Sequence, residues 1–350
     1  MDRVILLPEW APQAFVLLAW PHPQGDFAPW LEAVERTYAL TVAAISQRQG
    51  VVIVCRDAAH RARIEAVLNR HAAFAARIGF VEAAYRDTWV RDTAPLTVVQ
   101  GGRCGLVDFR FNGWGGKYPA QEDDALGGNL YRQGVFGAVP YRRVEWVLEG
   151  GSVETDGLGT LLATRSSIQN PNRNPDPERA EAILTEHLGF ERFLWLDYGY
   201  LEGDDTDAHI DTLARFCSPA AIVYQSCADR RDSHYQPLRA MAAQLERFET
   251  ATGGPYRLIP LPLPRPIRDA DDRRLPASYA NFLIINGAVL VPVYDDPADA
   301  EALTQLKLAF PEREIVAIPA RALIYQYGSL HCMTMQYPYL RFEKARCQTT

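Results

Sequence analysis

Side chains able to do chemistry gather at a few points of the chain. Near its end, Tyr327-Gly328-Ser329-Leu330-His331-Cys332-Met333-Thr334-Met335-Gln336 sets a thiol just after a glycine and a serine, where the backbone can be approached closely. The stretch from Cys332 to Gln336 reads as a strand. A lone cysteine is more often packing than chemistry, so Cys332 needs partners to count as a nucleophile. In Asp204-Asp205-Thr206-Asp207-Ala208-His209-Ile210-Asp211, an extended chain would point His209 and Asp211 one way and Ile210 into the core. The same alternation sends His331 to the face opposite Cys332, into packing or a structural hydrogen bond. Asp92 follows Arg91, and Glu149 precedes Gly150-Gly151. Taken singly, Asp92 reads equally as half of a strand-edge salt bridge and Glu149 as a turn residue. Trp89 and Trp114 read equally as core.

Together, a thiol, an imidazole and several carboxylates suit a cationic, planar electrophile. A guanidinium presents five N–H donors in a fixed plane, and carboxylates meet that plane two bonds at a time. A metal site built on His209 and Asp211 is the competing reading. EF-hand spacing is missing, and none of His22, His60, His71, His187, His234 and His331 lies in a second acid-rich cluster. The expectation is therefore no metal and no other cofactor.

Composition agrees with a small cationic partner. The 350 residues are 48% hydrophobic and 23% charged, ordinary for a globular protein, with a net charge of -7 and no basic block. Nucleic acid and anionic membrane are thus disfavoured as partners. The Met1–Trp20 segment carries Asp2, Pro8 and Glu9 and lacks the layout of a signal peptide, and no run reaches membrane-spanning length. A cytoplasmic location is expected. Cys55, Cys104, Cys217, Cys227, Cys332 and Cys347 form no C-x-x-C pair, so reduced thiols are the default.

The elements that must position these groups repeat. Phe15–Trp20 reads as a strand, 29–49 as a helix with Trp30, Val34, Tyr38 and Val42 on one core-facing stripe, Val51–Cys55 as a strand and 58–78 as a helix. Then a hairpin, a helix and a strand recur. The first round is 96–99 and 104–111, 123–133, and 143–148; the second is 150–154 and 160–164, 177–188, and 193–197. The third is 210–216 and 221–225, 237–250, and 257–262; the fourth is 281–285 and 288–294, 297–310, and 314–318. A fifth would start at Cys332–Gln336 and finish with the N-terminal segment, closing a ring without an exposed end strand. The alternative is a mixed α/β sheet with hairpins. Asp92, Glu149, His209 with Asp211, and Cys332 all fall near the start of a round, so a radial arrangement would converge them on one cavity.

A resemblance runs along nearly the whole chain. It is carried by Pro8-Glu9-Trp10, Leu18-Ala19-Trp20-Pro21, Trp89-Val90-Arg91-Asp92-Thr93, Phe111-Asn112-Gly113-Trp114-Gly115-Gly116, Leu148-Glu149-Gly150-Gly151-Ser152, Asn172-Arg173-Asn174-Pro175, the 203–211 run, Ala277-Ser278-Tyr279-Ala280-Asn281-Phe282 and Leu330-His331-Cys332. These motifs resemble the agmatine deiminase and bacterial peptidyl-arginine deiminase family of guanidine-modifying pentein enzymes. The resemblance implies a single catalytic domain over 1–350 with the pentein fold, a five-bladed pseudosymmetric α/β propeller closed by its terminal segments. Motif by motif it implies Cys332 as nucleophile, His209 as general acid and base, Asp92 and Asp211 as the carboxylates that hold the guanidinium, Asp205 as a substrate-binding acid, Glu149 as a site glutamate and Trp89 at the entrance. Where the family often has three glycines this chain has Tyr327-Gly328-Ser329, and where it often has Asn-Gly this chain has Asp207-Ala208.

The implied activity is hydrolysis of agmatine, since the site-adjacent motifs are rich in acid (Asp204, Asp205, Asp207, Glu149) and offer mainly Arg91 for a substrate carboxylate. Deimination of free or peptidyl arginine, a related hydrolysis or amidino transfer, and a non-catalytic binding protein are the alternatives. A homodimer is compatible with all of them.

Overall fold

The computed structural model describes residues 3–338, whose strands form five small sheets built on one pattern. A first strand pairs antiparallel with a second, a helix crosses over, and a third strand returns parallel to the second. Antiparallel neighbours need only a tight turn, whereas a parallel return needs a crossover of helix length, which fixes this order of elements. Leu96–Gln100, Arg103–Arg110 and Tyr141–Val147 make one sheet, with helix Gln121–Arg132 in the crossover. Glu154–Thr155, Thr160–Thr164 and Arg192–Leu196 make the second around helix Ala180–Leu188. Ala214–Ser218, Ala221–Gln225 and Arg257–Leu261 form the third around Tyr235–Leu245. Leu283–Ile285, Ala288–Val293 and Glu314–Pro319 form the fourth around Ala298–Ala309.

The fifth sheet joins the two ends of the chain. Met335–Pro338 pairs antiparallel with Gln13–Ala19, with Met335 opposite Leu17, and Gln13–Ala19 runs parallel to Gly50–Cys55 around helix Leu31–Ser46. The five-unit ring is therefore borne out, and one continuous mixed sheet is not. Val34, Tyr38, Val42 and Ile45 of the helix are fully buried at helical spacing. Trp30 lies at the edge of that core instead, stacked on Tyr325 at 4.7 Å. No helix among the described residues is long and apolar enough to cross a membrane.

Two expectations are corrected, and two further strands are added. The helix begun at Ala58, capped by Asp57 accepting from the His60 amide at 2.7 Å, ends at Leu68 instead of running to 78. Ile78–Glu82 is a strand that pairs parallel with Gly50–Cys55 and widens the fifth sheet. Val4–Leu6, unassigned from sequence, adds to the edge of the first sheet opposite Leu96–Gln100. The expected strand at 332–336 begins only at Met335; before it the chain turns helically, with the Met333 amide on the Ser329 carbonyl at 3.2 Å and the Thr334 amide on the His331 carbonyl at 3.1 Å.

Candidate active site

The residues of interest sit just ahead of the first strand of each sheet, on turns. Asp92 lies in the helical turn Val90–Thr93, Glu149 precedes the turn Gly150–Ser152, and His209 precedes Ile210–Thr212, which holds Asp211. Asn281 precedes the fourth sheet and Cys332 the fifth. The strand alternation expected to align His209 with Asp211 is replaced by this turn, although Ile210 is buried as anticipated. The turns meet: a Cβ built on Gly151 would lie 2.7 Å from His209 Nδ1, 2.8 Å from Asp92 Oδ1 and 3.1 Å from Asp211 Oδ2. Only a glycine leaves that space open.

The thiol lies among acceptors. Cys332 Sγ is 3.6 Å from Asp211 Oδ2, and Asn281 Nδ2 approaches it at 3.2 Å. Asn281 Oδ1 accepts from the amides of His331 and Cys332 at 3.0 and 3.3 Å, so one side chain fixes the loop and faces the sulfur. Burial, then Asp211 and Asp92, push the Cys332 thiol well above its usual range.

The imidazole is held as a cation. His209 Nε2 is 3.1 Å from Glu149 Oε2, and Nδ1 is 3.6 Å from Asp92 Oδ1. Burial works against its charge, but Asp92 and Glu149, followed by Asp211, outweigh burial and raise it to about 9. Glu149 is fixed in turn by Arg173, whose Nε lies 3.1 Å from both carboxylate oxygens, while its other arms reach Asp207 and the Thr206 carbonyl.

Asp92 accepts from the Gly151 amide on Oδ1 and from Trp114 Nε1 on Oδ2, each at 2.9 Å. Burial raises its carboxyl, with His209 and Trp114 acting in the other direction. For Asp211, burial would raise the carboxyl, but His331, with Nδ1 2.8 Å from Oδ2, and His209 hold it below the usual range. Asp211 Oδ1 is buried and has no hydrogen-bond partner among the described residues. Such an acceptor is costly unless a donor comes to it.

Asp92 and Cys332 line a cleft of about 510 Å³, open solvent included, walled by Trp89, Trp114, Tyr118 and Tyr327. Trp89 is one of the lining residues, and Gly328 lets it in: a Cβ there would come 2.5 Å from the ring. Asp205 lines the wall too, but its Oδ2 accepts from Tyr118 at 2.6 Å and its Oδ1 faces Lys117 at 3.2 Å. No described group of three or more His, Cys, Asp or Glu side chains is placed to hold a metal.

Several residues depart from what the sequence suggests. Arg91 makes no salt bridge with Asp92 and does not line this cavity; its amide donates to the Cys332 carbonyl at 3.1 Å and its side chain is buried. Of the acids counted as site-adjacent, Asp204 closes its own loop onto Thr206 and Ala208, and Asp207 takes Arg173 and Lys117. His331 makes the structural bonds expected of it, but on the same side as the site, bridging Asp211 and, at 2.9 Å, Glu9. Glu9 continues to Arg215, which also pairs with Glu154 at 2.6 Å. Asn281, Arg173 and Glu9 stand in the sequence only as letters of motifs; what marks each is burial of a polar side chain that must find a partner. The two departures from the family pattern fall on left-handed backbone: Tyr327 at φ 69, and Asp207 and Ala208 at φ 63 and 68.

A family model described as Porphyromonas-type peptidyl-arginine deiminase matches residues 5–338. An agmatine deiminase of Ectopseudomonas mendocina (strain ymp) is 34% identical, over 94% of this chain and 94% of its own. A solved structure from Porphyromonas gingivalis, assigned provisionally as an arginine deiminase, is 44% identical, covering 96% of this chain and 99% of that one, with a TM-score of 0.90. An agmatine deiminase of C. jejuni with substrate bound is 33% identical, covering 96% and 97%, with a TM-score of 0.88. The five-sheet array is accordingly a pentein, and the chain belongs to the Porphyromonas-type peptidyl-arginine deiminase family.

Proposed function

We propose that this protein is an agmatine deiminase, a hydrolase that converts agmatine and water to N-carbamoylputrescine and ammonia. Asp92 and Asp211 would hold the guanidinium, with the free Asp211 oxygen taking one of its N–H groups. The cation would draw the Cys332 proton off to solvent, and the thiolate would attack the guanidinium carbon. His209, already protonated, would give its proton to the departing ammonia, leaving an amidino group on sulfur. The now neutral imidazole would take one proton from water as it adds to that carbon, and collapse would break the C–S bond, pass the hydroxyl proton to the leaving sulfur and release the ureido product. Glu149 would hold the imidazole, and Asp205 and Trp89 would line the path of the substrate. The chain is read as one catalytic domain because the site draws on turns ahead of all five sheets. A cytoplasmic setting suits the five described cysteines, all free; Cys347 lies outside the described residues.

The observation that carries the substrate choice is the lining of the cavity. Among the described residues it contains Asp26, Asp87, Asp92 and Asp205 and no lysine or arginine. Free arginine would bring a carboxylate into this acidic lining, where the neighbouring Lys117 is already engaged by Asp205 and Asp207, whereas agmatine brings a second cation. Arginine deimination is the second reading, favoured by the 44% identity to the Porphyromonas gingivalis structure. Ammonia release from agmatine, free arginine and an arginine-containing peptide, measured side by side, decides between them. Agmatine is expected to lead, and preference for either other substrate would overturn the choice. Metal-bound water has no task in this scheme. EDTA should leave turnover unchanged and a thiol alkylator should abolish it, with agmatine protecting; loss on chelation restored by a divalent cation would make His209 and Asp211 ligands.

A further inference from the structure

Three carboxylates of the cavity wall, Asp26, Asp87 and Asp205, stand outside the set around Cys332, and their environments differ. Asp205 has both oxygens engaged, by Tyr118 and by Lys117. Asp26 is exposed, so water screens its charge. Asp87 is part-buried; Oδ1 accepts from the Thr88 amide at 2.6 Å, and Oδ2 accepts from no described residue. Its backbone is anchored, because the amides of Arg86 and Asp87 both donate to the buried Asp123 Oδ1, at 2.8 and 3.1 Å. It is a rigidly placed carboxylate with one oxygen to offer.

We propose that Asp87 receives the distal ammonium of the substrate and so sets the choice of a guanidine that carries a second cation. The inference rests on the reading of the site as one for agmatine. The aromatic walls of the cavity, Trp89, Trp114, Tyr118 and Tyr327, suit the methylene chain that separates the two cations. Burial and then Asp123 push the Asp87 carboxyl up to about 7, so its charge is costly in the empty cavity and an ammonium beside it offsets that cost. The groups acting on that charge after burial are Asp123, the Thr88 amide, Asp26 and Arg86, none of which belongs to the set around Cys332.

The test compares agmatine with n-butylguanidine, which has the same guanidinium and chain length but no amine, on the wild type, Asp87→Asn and Asp87→Glu. Wild type should favour agmatine in kcat/KM by about 10- to 100-fold, the scale of one charge-assisted contact. Asp87→Asn should lose most of that preference through KM, with turnover of n-butylguanidine changed less than about threefold, and Asp87→Glu should restore part of it. Equal losses on both substrates would mark Asp87 as merely structural, and an unchanged ratio would also overturn the proposal. If Asp87→Asn does not fold, Asp87→Glu carries the same comparison, with a reduced agmatine preference expected and an unchanged one overturning the proposal, and a wild type indifferent to the amine overturns it outright. A wild type that turns over arginine but not agmatine removes the substrate reading and this inference with it; a wild type active on agmatine with the ratio kept in Asp87→Asn removes the inference alone.

Discussion

Gly151→Ala isolates the geometry on which the site depends. The residue is not in the left-handed region, so alanine brings no backbone strain and the added methyl acts by contact alone. That methyl would stand 2.7 Å from His209 Nδ1 and 2.8 Å from Asp92 Oδ1, whereas ordinary contact starts near 3.4 Å. The imidazole or the turn must therefore give by about 0.7 Å, and neither is loose: His209 is tied to Glu149, and the Gly151 amide itself donates to Asp92. Misplacement of reacting groups by about 1 Å costs on the order of 100-fold in rate, so kcat should fall by roughly 30- to 100-fold. Overpacking of this size should cost about 1–3 kcal/mol of stability. The assay is steady-state ammonia release from agmatine beside a urea melt on the same preparations. A variant that folds and keeps kcat within about threefold of wild type would refute the reasoning.

Ala208 stands at φ 68, a conformation that costs a residue with a Cβ roughly 1–2 kcal/mol and glycine nothing. After the larger chain entropy of glycine, Ala208→Gly should gain about 0.5–1 kcal/mol in urea unfolding; a loss would show that the loop holds no such strain. Arg215→Met leaves Glu9 and Glu154 buried without their cation and should cost about 3–5 kcal/mol in the same melt, while changing both acids to glutamine as well should recover much of it. Equal stability of the single and triple variants would contradict this. His209 is raised from 6.5 to about 9, so its pairing contributes stability fully below about pH 6.5 and loses it as pH rises through about 9. kcat should decline along the same limb as the proton donor is lost, and Glu149→Gln should move that limb to lower pH; an unmoved limb would assign it to another group.

The fold was legible because hairpins announce themselves. Asn286-Gly287 turns Leu283–Ile285 into Ala288–Val293 between two continuous apolar runs, and Asp156-Gly157 lies between Glu154–Thr155 and Thr160–Thr164. What failed was local propensity read without tertiary pairing. Ala72, Ala73, Ala75 and Ala76 favour helix, so the helix from Ala58 seemed to run on, yet the helix stops at Leu68 and Ile78–Glu82 gains more as a strand beside Gly50–Cys55. The site residues were legible as types, since a thiol, an imidazole and carboxylates at the heads of repeats have few joint uses. Their geometry was not, because period-two alternation was applied to segments that turn helically; His331 was assigned to the wrong side for that reason. The occupancy of the acids was hidden as well. Asp204, Asp207 and Glu149 look available to a substrate cation in sequence, but Thr206, Arg173 and His209 reach them first. Asp87, whose Oδ2 accepts from no described residue, is not legible as a site acid in the sequence because Asp123, its anchor, lies 36 residues away.

The central claim is that Cys332 becomes covalently bonded to the guanidinium carbon. The most direct measurement is mass spectrometry of intact and digested protein acid-quenched during turnover of agmatine. The expected result is a fraction of the protein heavier by agmatine less ammonia, mapped to Cys332, absent from Cys332→Ser and enriched when hydrolysis is slowed. Steady ammonia release with no adduct at any quench time, or the same adduct in Cys332→Ser, would contradict it.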